Sequence, residues 1–166
     1  QISRLIHHFL KLGFEFKEDI EITMEVNPAT LTADSCRGYK EAGVNRISIG
    51  SQSFDDVSLK ACNREHSAKQ TVDTIELVKK HFQNSSLDLL FSLPNQGMVQ
   101  LQKDLEIFRS FKAPHISAYC LTLEARHPMN QNRCSDEEQT EMFATIRDQF
   151  AEDGLHRYEI SNFAKP

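Results

Sequence analysis

Polar residues able to hold a small molecule recur where apolar segments of this sequence give way to loops. Glu25 and Asn27 stand in "MEVNP", Gln52 in "IGSQSF", Thr122 and Glu124 in "CLTLE", and Ser161 and Asn162 in "EISNF". Asp88 sits inside "SLDLLFSLP", between Leu87 and Leu89. A carboxylate in a buried strand is costly unless it is paired or faces a wet cavity. Taken singly, each residue reads as a loop-end polar group or a satisfied core group. Gathered at one edge of one sheet, they form a ligand-binding mouth. Metal and nucleotide chemistry have less support. Cys36, Cys62, Cys120 and Cys134 show no C-x2-C spacing, and His7, His8, His81 and His156 lack the pairing of a metal site. His66 reads as a structural loop histidine, with a place on the substrate side, like Tyr119, as its alternative. Neither G-x-G-x-x-G nor G-x4-G-K-[ST] occurs.

The elements that must position these residues alternate. "RLIHHFLKLGF" carries an apolar face at helical spacing, and "IEITMEV", Ile20 to Val26, alternates as a strand. A helix follows, capped at Thr32 and stopped at Gly43. The strand "RISIG" precedes a short helix, "DDVSLKAC", and a longer one capped at Ser67. "SLDLLFSLP" is a strand ended by proline, "GMVQLQKDLEIFRSF" a helix, and "HISAYCLTLE", His115 to Glu124, a strand. After a polar loop comes a helix capped at Ser135, and "HRYEISNF" closes as a strand. Phenylalanines at helical spacing are expected in the core. Alternating strands and helices imply parallel strands joined by right-handed crossovers. The fold class is α/β, a segment of a (βα) barrel, whose chemistry belongs at the strands' C-terminal ends.

Bulk properties narrow the partners. The chain has 166 residues, read as one domain over 1–166, with 19 basic and 24 acidic residues and a net charge of −5. That balance argues against nucleic acid and leaves membranes at most a peripheral role. No apolar run approaches the ~20 residues of a membrane span, and no signal peptide is visible. The unpaired cysteines fit a reducing compartment. Because the chain starts at Gln1 inside a helical pattern and stops at "SNFAKP", it is expected to be a piece of a longer protein.

The strings "EITMEVNPATLTADSCRGYKEAGVNRISIGSQSFDD", "NREHSAKQ", "SLDLLFSLPNQ", "HISAYCLTLE" and "YEISNFAKP" resemble, in order and spacing, the oxygen-independent coproporphyrinogen III oxidase-like family of radical SAM proteins. Within it, "SQSFDD", "HSA", "AYCLTLE" and "YEISNFAKP" look most like the HemW heme-chaperone branch. The resemblance implies a partial, six-stranded TIM-like barrel of the radical SAM type, here without its first strands. It also implies S-adenosylmethionine and a [4Fe–4S] cluster as cofactors of the full-length parent, with heme as a further ligand. By that resemblance Glu25 contacts the methionine end or ribose of S-adenosylmethionine, and Gln52 the ribose. Arg64, twelve residues after Gln52, takes the carboxylate, Asp88 also faces the cofactor, and Thr122 approaches the adenine. The chemistry suits these residue types: an amide or carboxylate can bond both hydroxyls of a diol, and a guanidinium fork matches a carboxylate.

Departures from the family pattern set expectations too. The C-x3-C-x2-C cluster motif is expected before Gln1 and the H-N-x-x-Y-W heme-associated motif after Pro166. Ser51 stands where valine is usual, Ser92 replaces the glycine of "GLP", and the linker Ala125–Cys134 is short. Three readings follow: a heme chaperone that hands heme to receiving proteins, an oxidase that decarboxylates coproporphyrinogen propionates through a 5′-deoxyadenosyl radical, or a truncated inactive barrel. The segment alone is expected to be inactive. The parent is expected in the cytoplasm, or in mitochondria if eukaryotic. With strands missing, the outer edge of "IEITMEV" is expected to be unpaired, an aggregation risk.

Overall fold

The computed structural model describes residues 1–124 and 126–166; the first residue of the expected short linker, Ala125, lies outside them. Helices α1 (Ile2–Lys11), α2 (Ala33–Glu41), α3 (Asp56–Ala61), α4 (Ala68–His81), α5 (Met98–Ser110) and α6 (Asp136–Glu152) alternate with strands β1 (Thr23–Val26), β2 (Arg46–Gln52), β3 (Asn84–Phe91) and β4 (His115–Cys120), and two short strands, β5 (His156–Arg157) and β6 (Asn162–Ala164), close the chain. The six strands form one sheet in the order β1-β2-β3-β4-β6-β5. Strands β1 to β4 pair in parallel, as the alternation implies.

Local chemistry sets the boundaries. Thr32, Ser67 and Ser135 all form capping boxes, each accepting from the backbone N–H three residues on while the side chain at that position bonds back. Such a cap stabilises a helix by about 1 kcal/mol. Gly43, at φ +97°, ends α2 in the left-handed region that glycine enters most easily. Strand β1 is shorter than the alternation of Ile20–Val26 suggests. The Asn45 side chain takes over the backbone there: its amide donates to Ile20 C=O at 2.7 Å, and its Oδ1 accepts from Ile22 N–H at 2.8 Å.

Period-two alternation sorts the sheet into two faces. Ile47 and Ile49 of β2, Leu87, Leu89 and Phe91 of β3, and Ile116 and Ala118 of β4 are buried in one core with Val78 of α4, Leu101, Leu105 and Phe108 of α5, and Met142, Ile146 and Phe150 of α6. Phe108 packs on Phe54 with ring centroids 4.8 Å apart, and Phe150 on Phe163 at 5.3 Å. Burying a side chain of this size contributes about 1.5–3 kcal/mol.

Three expectations are corrected. "HRYEISNF" is not one parallel strand: β5 runs with β4, but the chain reverses over Tyr158–Ser161, and β6 pairs antiparallel to both. The reversal places Phe163 on Phe150 and lets Ser161 C=O accept from Ala118 N–H at 2.8 Å. Strand β4 stops at Cys120, so Thr122 and Glu124 lie beyond it. Phe9 and Phe14 are not core; with Leu5, Leu10 and Leu12 they form an exposed apolar face around α1. As expected, β1 is an edge strand, paired only with β2 among the described residues.

Truncating Phe108, fully buried against Phe54, should cost about 3–5 kcal/mol. Urea unfolding of Phe108→Ala against wild type measures this; a loss under ~1 kcal/mol would contradict the packing described.

Candidate functional site

The sheet's other face is polar. Its inward residues line an open cleft of about 590 Å³: Thr23 and Glu25 of β1, Arg46, Ser48 and Gln52 of β2, Ser86, Asp88 and Leu90 of β3, His115, Ser117 and Tyr119 of β4, with Arg64, Tyr158 and Asn162. A TIM barrel interior filled with branched apolar side chains leaves no such space. The register builds the cleft in rows. Glu25 lies opposite Ser48, Ser48 opposite Ser86 and Ser86 opposite His115; one step toward the strand ends, Asp88 lies opposite Ser117 and Ser117 opposite Asn162.

Asp88 is the site's most perturbed acid. Burial pushes its carboxyl up to about 6, helped by the negative charge of Glu25. Hydrogen bonds from Ser117 and Ser48 and the charge of Arg46 oppose that rise. The Ser48 hydroxyl is 3.5 Å from Asp88 Oδ1. The cost of burying this carboxylate is therefore moderated by a wet cavity and two hydroxyls, the exception that its place within a strand requires.

Gln52 ends β2 at φ +65° and is 7% exposed. Its side-chain amide makes no hydrogen bond among the described residues. Gly50 gives it room: a Cβ there would sit 3.1 Å from Gln52 Nε2. Arg64 follows α3, its N–H bonded to Leu59 C=O at 2.9 Å, and makes no salt bridge among the described residues. Glu25 is exposed on the edge strand. Four of the five residues singled out from the sequence thus share the cleft. Thr122 does not line it; it is exposed past β4, its hydroxyl donating to Cys120 C=O at 3.3 Å. Asn27 shapes a turn, as read, its Oδ1 accepting from Ala29 N–H at 3.1 Å.

The cleft floor was not anticipated. His115 Nδ1 lies 2.7 Å from Ser86 Oγ and its Nε2 2.8 Å from the Tyr158 hydroxyl. Burial, then the nearby Arg46 charge, lower its pKa, against the opposing charges of Glu21 and Glu159, which disfavours the charged ring between the two hydroxyls. Strand alternation was the available signal: Thr23, Arg46, Ser86 and His115 share the parity of the inward residues. His66 is buried, Nε2 3.4 Å from Ser51 C=O and Nδ1 without a partner among the described residues. Its pKa falls through burial, which fits the structural reading. Ser92 adopts φ +60°, where glycine is least strained. Arg133 steadies it, donating to Ser92 C=O at 3.1 Å, to Ser92 Oγ at 3.0 Å and to Leu121 C=O.

Because the folded Asp88 binds its proton more tightly than the unfolded chain, the native state carries excess protons between pH ~4 and ~6. Asp88 therefore makes stability fall as pH rises through that window. Asp88→Asn should flatten this slope and gain up to about 3 kcal/mol relative to wild type at pH 7. Urea titrations at pH 4 to 7 test this; parallel curves for the two proteins would refute it.

The sequence and fold have known counterparts. The Radical SAM superfamily model matches residues 2–108. The chain is 36% identical to the heme chaperone HemW of Lactococcus lactis, aligning over 100% of this chain and 46% of that protein. It is 37% identical to HemW of Bacillus subtilis, over 99% of this chain and 45% of that protein. The chain thus spans less than half the length of these relatives. Among solved structures, the coproporphyrinogen III oxidase HemN of Escherichia coli, a radical SAM enzyme, superposes with a TM-score of 0.86 at 22% identity, covering 99% of this chain and 39% of that one. That similarity shows the fold, an open TIM-like barrel. The chain belongs to the radical SAM superfamily and is a homologue of the HemW heme chaperones.

Proposed function

We propose that this segment supplies one wall of an S-adenosylmethionine site in a HemW-like heme chaperone. One observation supports this above the rest: Glu25, Gln52, Arg64 and Asp88, drawn from three strands and a loop, line one open cleft. The residues fit the ligand's chemistry. Gln52 and Glu25 offer an amide and a carboxylate to ribose hydroxyls, and Arg64, with no salt bridge among the described residues, offers its fork to the amino-acid carboxylate. The Gln52 amide occupies the space beside Gly50 that a Cβ would take, so the glycine lets the amide lie against β2.

No three His, Cys, Asp or Glu side chains converge to hold a metal among the described residues. Ligands for a [4Fe–4S] cluster would come from other parts of the parent. With that cluster, bound S-adenosylmethionine supplies one-electron chemistry; the protein's part is to bind, orient and exclude water. Heme, and proteins that receive it, are the proposed partners. The named function of the HemW relatives favours heme transfer over porphyrinogen decarboxylation. The proposed location is the cytoplasm, or mitochondria in a eukaryote. No helix among the described residues is long and apolar enough to cross a membrane.

The full-length protein with its cluster reconstituted should bind heme and show no coproporphyrinogen decarboxylation when both are assayed side by side. Robust decarboxylation would replace the chaperone reading with the oxidase one. In the same protein, Gln52→Ala and Arg64→Ala should each weaken S-adenosylmethionine binding about tenfold by titration calorimetry. Unchanged affinity in both would remove these residues from the site. Residues 1–166 alone should show no activity and little affinity for S-adenosylmethionine.

A further inference from the structure

We propose that Asp104, buried on α5 away from the cleft, is the positioning residue that aims Gln52 into it. The ligand-binding part of this inference rests on the reading of Gln52 given above. Gln52 sits where β2 carries an extra residue: three steps from Ile49 to Gln52 face two from Leu87 to Leu89 on β3. Such bulges re-aim side chains beside functional sites. At the same point the backbone makes a tight reversal. Ser53 N–H donates to Ser51 C=O at 2.8 Å across Gln52, whose φ is +65°. This is the positive-φ form of the γ-turn, rare and strained for a side-chain-bearing residue. Such backbone persists only where its surroundings over-determine it.

Asp104 provides that surrounding. Ser53 Oγ donates to Asp104 Oδ2 at 2.7 Å, and Phe54 N–H donates to Asp104 Oδ1 at 2.9 Å. One carboxylate thereby grips the two residues that follow Gln52. The Ser53 hydroxyl also accepts from Asp55 N–H at 3.0 Å, carrying the hold into the cap of α3. Gln96 Nε2 lies 3.5 Å from Asp104 Oδ2, while Gln96 Oε1 accepts from Leu93 N–H at 3.1 Å. The same carboxylate therefore reaches the loop after β3, and the loops following β2 and β3 share one anchor.

Asp104 is 0% exposed and has no basic partner within salt-bridge distance among the described residues. Burial raises its pKa, and the bonds from Ser53 and Phe54 draw it back. A buried carboxylate without a counter-ion is a poor way to stabilise a helix–sheet contact, because an apolar side chain fills that place at lower desolvation cost. What an apolar side chain does not supply is two acceptors 50 and 51 residues from their donors, holding a strained turn in one conformation.

A double-mutant cycle in the full-length, cluster-reconstituted protein tests this. Asp104→Asn should weaken S-adenosylmethionine binding about tenfold in the wild-type background and less than about twofold in the Gln52→Ala background. Equal losses in both backgrounds, or no loss in either, would overturn the inference, since a generally destabilising change does not depend on Gln52. If Asp104→Asn fails to fold, Ser53→Ala takes its place, with an expected loss of about threefold that again vanishes in Gln52→Ala. A second readout needs no ligand. The Gln52 side-chain amide signals, assigned by their absence in Gln52→Ala, should shift or broaden in nitrogen–proton spectra of Asp104→Asn; unmoved signals would refute the positioning. If wild type binds no S-adenosylmethionine, the proposed function fails, and the amide signals alone decide whether Asp104 orients Gln52.

Discussion

The architecture depends on a sheet whose two faces live in different solvents. Strands of period two must send every second residue to each side. On β2, β3 and β4 one parity is Ile47, Ile49, Leu87, Leu89, Ile116 and Ala118, all buried under helices. The other is Arg46, Ser48, Ser86, Asp88, His115 and Ser117, all lining the cleft. A one-residue slip of register would exchange the sets, placing Asp88 and Arg46 among the helices. The apolar face thus fixes the register, and the register assembles the polar face. The binding cleft is a consequence of how the core packs.

That division also explains why the active features gather at the strand ends. Within a strand, the ladder and the core fix each side chain's direction. Past the ladder the backbone can bend, and three residues at these edges take positive φ: Gln52, Ser92 and Asn95. Gln52 and Ser92 are strained there, asparagine enters that region more easily, and all three are restrained by groups distant in sequence. Asp104 holds the residues after Gln52, Arg133 bonds Ser92, and Asn95 N–H donates to Asn132 C=O at 2.8 Å. Polar side chains of α5 and the loop before α6 therefore set the shape of the rim, while the apolar side chains of those helices set the sheet.

Much of this was legible in the sequence where information is local. Capping serines and threonines, the stop at Gly43 and the alternation of β2 to β4 depend on neighbours within a few residues. The parity of Glu25 and Asp88 follows from the same alternation, Gln52 lies past a bulge that alternation does not show, and Arg64 came from the family pattern. What was not legible depends on partners far along the chain. Asp104 reads as an ordinary helix-face acid in "QKDLEIF" until α5 is laid behind β2. The antiparallel turn of β6 depends on Phe163 finding Phe150. Thr122 fell outside the cleft because β4 ends at Cys120, four residues before the expected end at Glu124. The apolar face of α1 is correct as periodicity, but periodicity does not say whether a partner is present.

The floor of the cleft gives the inner face its final constraint. Ser86, His115 and Tyr158 are joined through both nitrogens of one imidazole, and in its neutral form one nitrogen donates while the other accepts. Protonating the ring would place a cation beside Arg46 and leave it two donors. The hairpin of β5 and β6 is tied to β4 through this ring as well as through its ladder, since Tyr158 belongs to the reversal that corrected the expected strand. The antiparallel end of the sheet therefore serves the inner face as much as the core. Phe163 anchors it among the helices, and on the opposite side Tyr158 and Asn162 complete the polar wall that Glu25 begins on the far edge.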